Sequence, residues 1–238
     1  MVGYEEELKK VFGGPVYLSA KQLRQVDRQA EEVLGLPGLV LMENAGLHAT
    51  QAALEMLPDA NPSAVVFCGA GNNGGDGYVI ARQLHLMGVA VRVLFSVEID
   101  RLSGDALVNA TAALRLGIEM QPLLGEHEDW GTCDLAVDAL LGTGMRGPLR
   151  VGLAQALGTI NQVCEAKCIR TLAIDLPSGL YANSGGAAQH TFRAERTVTF
   201  VARKKGFANP ASASFTGEVN VVSIGVPPDF VNRTFRIE

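Results

Sequence analysis

The sequence predicts an α/β protein: a mostly parallel sheet with helices on both faces, in a three-layer α/β/α arrangement. Three observations lead there. From Ala64 onward, short apolar runs alternate with stretches of helical periodicity, as successive β-α-β units require. The 27 glycines cluster where those runs end, as tight turns demand, and are not spread as in disordered chains. A length of 238 residues, 47% of them hydrophobic, suits one large core better than two small ones, so residues 1–238 read as a single domain.

Taken in order, the first element is a helix opened at Ser19, where Ser19 and Gln22 form the Ser-x-x-Gln pattern of a capping box. Leu23, Val26, Ala30 and Val33 supply its apolar face, and Gly35 ends it. Pro37 suits the first turn of a second helix, expected to run to about Leu57, before Pro58. That helix starts Leu39-Val40-Leu41-Met42, apolar on every side, so it is expected to pack deep or to sit at a subunit interface. Candidate strands follow at residues 64–68, 90–95, 134–138, 171–175, 197–201 and 218–224. Between the first four lie helical stretches at residues 77–87, 103–116 and 149–164, with Gly88 and Gly117 placed as C-terminal caps. The succession implies parallel pairing covered on both faces, with the last two strands extending one edge.

Composition excludes several function classes. The formal net charge is -5 and the longest basic run is Arg203-Lys204-Lys205, which disfavours a nucleic-acid partner. Cys68, Cys133, Cys164 and Cys168 follow no disulfide framework. Cys164 and Cys168, four apart on one helix, lack the further ligands of a zinc site, so reduced thiols are expected. The segment from Met1 to Lys10 carries Glu5-Glu6-Glu7 and no apolar stretch, unlike a signal or transit peptide. Nothing approaches the roughly 18 apolar residues of a membrane span. A cytoplasmic protein with no membrane partner is expected.

Gly69-Ala70-Gly71-Asn72-Asn73-Gly74 follows the first strand of the series and matches G-x-G-x-x-G, in which glycines let backbone amides approach a phosphate at a helix N-terminus. Taken alone it reads as a dinucleotide fingerprint, with Glu98 near the end of the next strand as the ribose ligand. Asn72, Asn73 and Asp76 argue for something more particular, because a carboxylate beside a pyrophosphate is unfavourable unless a cation or a sugar hydroxyl intervenes. The plainer alternative for Asp76 is a helix N-cap. If the loop meets the ligand by its backbone, valine at Gly71 or Gly74 is expected to block binding while much of the fold survives.

Two strands end in aspartate, at Asp138 and Asp175, each followed by turn residues: Leu141-Gly142-Thr143-Gly144 and Leu176-Pro177-Ser178-Gly179. One strand-end Asp is often a structural cap. Two of them, beside the loop after the first strand, converge on one crevice if the sheet is parallel, since ligands of open α/β sheets bind beyond the carboxyl ends of the strands. The oxygens of Asn73, Asp138 and Ser178 are hard ligands, suited to an alkali or alkaline-earth ion and not to zinc. Arg146, in a second glycine-rich loop, is either a bidentate phosphate ligand or an exposed charge where a helix begins.

Together, Asn72-Asn73-Gly74-Gly75-Asp76-Gly77, Asp138 with Gly142-Thr143-Gly144-Met145-Arg146-Gly147, and Asp175-Leu176-Pro177-Ser178-Gly179 resemble the NAD(P)H-hydrate epimerases, the YjeF N-terminal domain family. Leu41-Met42-Glu43-Asn44-Ala45-Gly46 and Lys205-Gly206 are similar too, and the likeness runs from about Tyr17 to about Val226. The resemblance implies a Rossmann-like fold, a homodimer, and a site for hydrated NADH or NADPH with one potassium ion per subunit. It implies that Asn72, Asn73, Gly74, Gly75 and Asp76 line the nucleotide site with Gly142, Thr143, Gly144, Met145, Arg146, Gly147 and Pro148. It further implies that Asp175 contacts the substrate and that Asn73, Asp138 and Ser178 ligate potassium. Many members of the family are fused to a C-terminal dehydratase. This chain ends shortly after its last strand, so dehydration of the product is expected of a separate partner protein.

The implied reaction interconverts the R and S forms of a hydroxyl at C6 of the reduced nicotinamide ring. It needs the C6–O bond broken with help from the ring nitrogen, and water returned to the other face. A group that protonates the departing hydroxyl and deprotonates water suits a strand-end carboxylate, Asp175 first and Asp76 second, and carboxylates also suit a cationic ring. One rival reading is an NAD(P)-dependent dehydrogenase, which predicts a proton-relay His, Tyr or Lys where the later sequence offers an isolated His190. Another is a non-catalytic binding module of the same fold, which would expect a degraded site, whereas the Asn, Asp and Ser positions are all present.

Overall fold

The computed structural model describes residues 3–124 and 132–236. In chain order its elements are α1 (Tyr4–Phe12), β1 (Tyr17–Leu18), α2 (Ala20–Leu34), α3 (Gly38–Leu54), β2 (Ser63–Cys68), α4 (Asn72–Leu86), β3 (Ala90–Phe95), α5 (Gly104–Arg115) and β4 (Glu119–Pro122). Then come β5 (Leu135–Ala139), α6 (Val151–Lys167), β6 (Arg170–Ile174), β7 (Arg196–Phe200), β8 (Arg203–Lys204), α7 (Ala213–Thr216), β9 (Glu218–Val222) and α8 (Pro228–Arg236). The expected α/β fold is present, and the six expected strands all form, with ends shifted by a residue or two.

Seven strands make one sheet in the order β4-β3-β2-β5-β6-β7-β9, every neighbouring pair parallel. The sheet starts in the middle at β2, steps outward through β3 and β4, then returns to build the other half from β5 to β9. The order therefore reverses between β2 and β5. Loops leaving the two strands at such a switch point turn to opposite faces and open a crevice at their carboxyl ends.

The strands are apolar on both faces because both faces are covered. Val65, Phe67, Ala136 and Ala173 pack on Leu157, Ile160 and Cys164 of α6. The alternate residues Ala64, Val66, Val137 and Leu172 lie in a core with Leu23 and Val26 of α2, Ala45 and Ala49 of α3, and Ile80 and Leu84 of α4. The capping box forms as the sequence predicts: Gln22 N donates to Ser19 Oγ at 3.3 Å and Ser19 N to Gln22 Oε1 at 2.9 Å.

The largest departure is at α4. A helix is expected there from residue 77, and the structure starts it at Asn72, so most of what looks like a glycine-rich loop is helical. Glycine is a poor helix former and hides the true start. Packing demands it here: a Cβ on Gly74 would fall 1.9 Å from Gly69 O, and one on Gly75 would fall 2.5 Å from Met42 Cε. The motif at residues 41–46 works on the other side of the same contact. Glu43 accepts from Arg82 at 3.0 and 2.7 Å, and Asn44 donates to Ile224 O at 3.0 Å, so α3 is fastened to α4 and to the end of β9. The start of α3 is not buried all round: Leu41 and Met42 point inward, whereas Leu39 and Val40 are 36% and 42% exposed. The short β1, β4 and β8 carry too little periodic signal to be read from sequence, and the amphipathic nine-residue helices α1 and α8 are not among the expected elements.

Candidate active site

The turn after β2 is pressed against the end of β5. Gly69 N donates to Ala139 O at 3.0 Å, and a Cβ on Gly69 would meet Leu140 O at 1.8 Å. This contact carries the start of α4 over the loop that follows β5, where Asn73 Nδ2 donates to Leu141 O at 3.1 Å. Directly beneath, Asp138 is fully buried. Its Oδ2 accepts from Ser178 N at 2.7 Å, and its Oδ1 accepts from Ser178 Oγ at 2.6 Å and Leu140 N at 3.1 Å. Ser178 Oγ in turn accepts from Leu141 N at 2.9 Å. Burial pushes the Asp138 carboxyl up to about 6, against the opposing pull of the Ser178 and Leu140 hydrogen bonds.

Asn73, Asp138 and Ser178 thus join one network through Leu141. Within it, the buried Oδ1 of Asn73 has no hydrogen-bond partner. A buried acceptor is seldom left so. A free carbonyl oxygen beside a buried carboxylate and a hydroxyl is an oxygen-only donor set that fits a hard monovalent ion.

A second cluster, of different character, lies at the ends of β6 and β7. Asp175 has φ 69, and Leu176 N donates to Ile174 O at 2.9 Å across it. That combination is the strained form of the γ-turn. Val201 repeats it with φ 69 and an Ala202 N to Phe200 O bond of 2.8 Å, an unusual conformation for a β-branched residue. Between the two turns sits Lys204, 2% exposed, whose ammonium forms an ion pair with the Asp175 carboxylate and donates to Phe200 O at 3.3 Å. Pairing of β8 with β1, in the register Leu18↔Lys204, holds the lysine there.

Asp76 faces this cluster from α4. It is not the N-cap, which is Gly71; it lies in the second turn, buried, and among the described residues no hydrogen bond is made to its carboxyl. Burial first, then the charges of Asp175 and Asp27, hold its carboxyl well above the usual range, with Lys204 opposing. Asp27, Asp76 and Asp175 feel one another's charge, but among the described residues no group of three or more His, Cys, Asp or Glu side chains gathers tightly enough to hold a metal ion.

The loop of residues 142–148 forms the exposed rim. Gly142 packs against Asn73, where an added Cβ would lie 3.2 Å from Asn73 Cβ, and Gly147 O accepts from Tyr181 Oη at 3.0 Å. Thr143 and Met145 are half-buried, Gly144, Gly147 and Pro148 exposed. Arg146 is exposed and makes no ion pair among the described residues. Of the two glycines expected to face ligand, only Gly71 opens onto free space; Gly74 is packed on backbone, so valine there is expected to break the fold and not merely the site. Glu98 lies exposed beyond β3, and His190 packs over Gly158 of α6, so neither belongs to the two clusters.

Sequence reasoning missed Lys204 and Asp27. The basic run offers three cations and the likeness pointed to Lys205, which is exposed; only the β1–β8 pairing singles out Lys204. Asp27 carries no local signal at all, being one polar residue on an ordinary amphipathic helix.

The pattern of the family described as YjeF-related protein N-terminus matches residues 38–206. The chain is similar to the NAD(P)H-hydrate epimerase of Rhodopirellula baltica, 39% identical over 97% of this chain and 95% of that protein. It is 40% identical to the NAD(P)H-hydrate epimerase of Pirellula staleyi, over 87% of this chain and 91% of that one. It also matches the bifunctional NAD(P)H-hydrate repair enzyme Nnr of Escherichia coli, at 36% identity over 92% of this chain but only 41% of that longer protein. The crystal structure of the yeast protein YNL200c has a like fold, with a TM-score of 0.76, 21% identity, and coverage of 92% of this chain and 93% of that one.

Proposed function

The chain belongs to the family of YjeF-related protein N-termini, and on that premise we propose that it interconverts the R and S forms of hydrated NADH and NADPH in the repair of these nucleotides. The observation that carries the reading is the convergence of two unlike clusters on one switch-point crevice: neutral donors around Asp138, and charges around Lys204. The first suits an ion that anchors the site. The second suits proton transfer to and from a ring that becomes cationic.

In this proposal the phosphates lie along the start of α4 and the rim loop of residues 142–148, with backbone amides and Arg146 as donors. Asp76, whose carboxyl is raised by burial and neighbouring charge and so favours its protonated form, gives a proton to the departing C6 hydroxyl. The C6–O bond breaks, water leaves, and the ring nitrogen's lone pair takes up the positive charge. Asp175, held by its γ-turn and by Lys204, accepts a proton from the water that returns to the opposite face. One carboxyl has lost a proton and the other has gained one, so the reverse reaction runs with their roles exchanged. Asn73, Asp138 and Ser178 hold one potassium ion, which supplies the charge that balances a buried Asp138 carboxylate.

The exposed Leu39, Val40 and Leu47 of α3 support a homodimer through that helix. No helix among the described residues is long and apolar enough to cross a membrane. A cytoplasmic location, and a separate dehydratase acting on the product, complete the proposal. The test is chromatographic interconversion of purified R and S hydrates, with and without potassium. A chain that leaves both hydrates unchanged at saturating potassium refutes the epimerase reading. A monodisperse monomer at micromolar concentration refutes the dimer.

A further inference from the structure

We propose that Thr199, on β7, is a positioning residue for the reaction: its hydroxyl holds Asp175 in the left-handed turn that presents the carboxylate to Lys204. This rests on the epimerase reading above and deepens it, by naming what keeps the proton acceptor in place.

Up to Ile174 the ladder between β6 and β7 is regular, with Leu172 opposite Arg196, Ala173 opposite Thr197 and Ile174 opposite Val198. One step further, the register puts Asp175 opposite Thr199. In a parallel ladder a residue so placed gives its N–H to the residue before its partner. Its main-chain oxygen takes the N–H of the residue after that partner. The first bond is made: Asp175 N donates to Val198 O at 2.7 Å. The second is replaced. Phe200 N, which a continued ladder would aim at Asp175 O, reaches Asp175 Oδ1 instead, at a long 3.5 Å. Asp175 O accepts from Thr199 Oγ1 at 2.8 Å. Three consecutive residues of β7 thus each meet a different group of Asp175, and the carboxylate takes the donor that belongs to the main-chain carbonyl.

That exchange is costly. With φ 69, Asp175 lies where residues other than glycine seldom do, and such a conformation persists only when its surroundings over-determine it. The Leu176 N to Ile174 O bond closes the turn but does not select its hand, because the commoner γ-turn has the same bond with negative φ. A hydroxyl that meets the carbonyl in its turned-out position does select it. Thr199 is fully buried, so its hydroxyl acts through Asp175 and not on the ligand. Thr197, two residues earlier on the same face of β7, supplies the comparison. It too is fully buried, and its Oγ1 donates at 2.7 Å to a carbonyl of α7, that of Thr216.

The test compares Thr199→Val, which removes the hydroxyl and keeps the side chain's shape, with Thr199→Ser, which keeps the hydroxyl, and with Thr197→Val as the strand control. Each full chain would be crystallised, and assayed for interconversion of the R and S hydrates at saturating potassium. Thr199→Val is expected to lower kcat about 10-fold or more with KM within about twofold. Its crystal structure is expected to show Asp175 at negative φ, with Phe200 N donating to Asp175 O. Thr199→Ser is expected to keep the turn and to hold kcat within about threefold of wild type. Thr197→Val is expected to melt lower but to keep the wild-type kcat. Wild-type kcat in Thr199→Val, or an equal loss of kcat in Thr197→Val, overturns the proposal. If Thr199→Val does not fold, Thr199→Ala is compared with Thr199→Ser, the two differing only in the hydroxyl, and equal kcat values overturn it. If wild type interconverts the hydrates while Asp175 stays left-handed in Thr199→Val, Thr199 alone is misassigned. If wild type leaves the hydrates unchanged, yet Asp175 relaxes in Thr199→Val and not in Thr199→Ser, the positioning stands and the epimerase reading falls.

Discussion

Asp138 on β5 and Asp175 just past β6 lie at the carboxyl ends of neighbouring strands, Asp138 opposite Ala173, and the protein holds them in opposite ways. Asp138 keeps the alternation of its strand, sharing a face with Ala136 and Leu140, and is met only by neutral donors from Ser178 and Leu140. Asp175 leaves the alternation through a left-handed residue and is met by an ammonium. A carboxylate met by two backbone amides and a hydroxyl is a rigid part, suited to holding an ion. One paired with a lysine on a strained turn is coupled to a proton-bearing group and can change its charge partner during a reaction. Position at a strand end does not assign the role; the partner does.

The largest effect that tests this contrast is on the ion pair. Asp175→Asn leaves the Lys204 ammonium buried without its counter-charge, and Lys204→Met leaves the carboxylate without its own. Each is expected to lower stability by about 3–5 kcal/mol in thermal melts, and the double variant to recover much of the loss. Single variants that melt like wild type would show that the pair is not formed.

Next in size is Asp76→Asn. Burial and neighbouring charge favour the neutral form of this carboxyl, which an amide resembles, so melting should move little while turnover falls by about 10² or more, with the half-saturating potassium concentration unchanged. Turnover near the wild-type rate would remove Asp76 from proton transfer.

Asp138→Asn is expected to act the other way round. Its amide has one acceptor oxygen for three donors, so stability should drop by about 2 kcal/mol. The potassium requirement should rise, with turnover partly restored at high potassium. A defect that potassium does not relieve would separate Asp138 from the ion.

The smallest expected effect is the pH dependence at Asp27. Its folded carboxyl is raised to about 6 from 3.8, so the folded state binds this proton more tightly than the unfolded state. The group's contribution is fully present below about pH 4 and is lost as pH rises through about 6. Asp27→Asn should therefore match wild type at pH 4 and melt at or slightly above it at pH 7.5. Parallel melting curves across that range would mean that Asp27 titrates as it does in the unfolded chain.

Much of the molecule was legible without coordinates. Strand runs such as Ala64-Val65-Val66-Phe67-Cys68, apolar on both faces, and the Ser19–Gln22 box are local signals, and local periodicity reports them directly. The hydrogen-bonded connection of Asn73, Asp138 and Ser178 was legible because each sits in a short motif at a strand end, and a parallel sheet brings such ends together. The start of α4 was not, since its glycines oppose a helix locally and are required only by the approach of Gly69 and Met42. Lys204 and Asp27 were not legible either. One is chosen from three adjacent cations by a two-residue strand pairing, the other lies on a helix more than a hundred residues away in the chain from Asp175 and Lys204, whose charges it feels. Sequence by itself determined the layers, the strands and the motif-borne oxygens, because these follow from periodicity and turn chemistry within a few residues. Tertiary structure alone decided which charges meet, because a long-range ion pair depends on how separate elements pack and leaves no pattern in either stretch of chain.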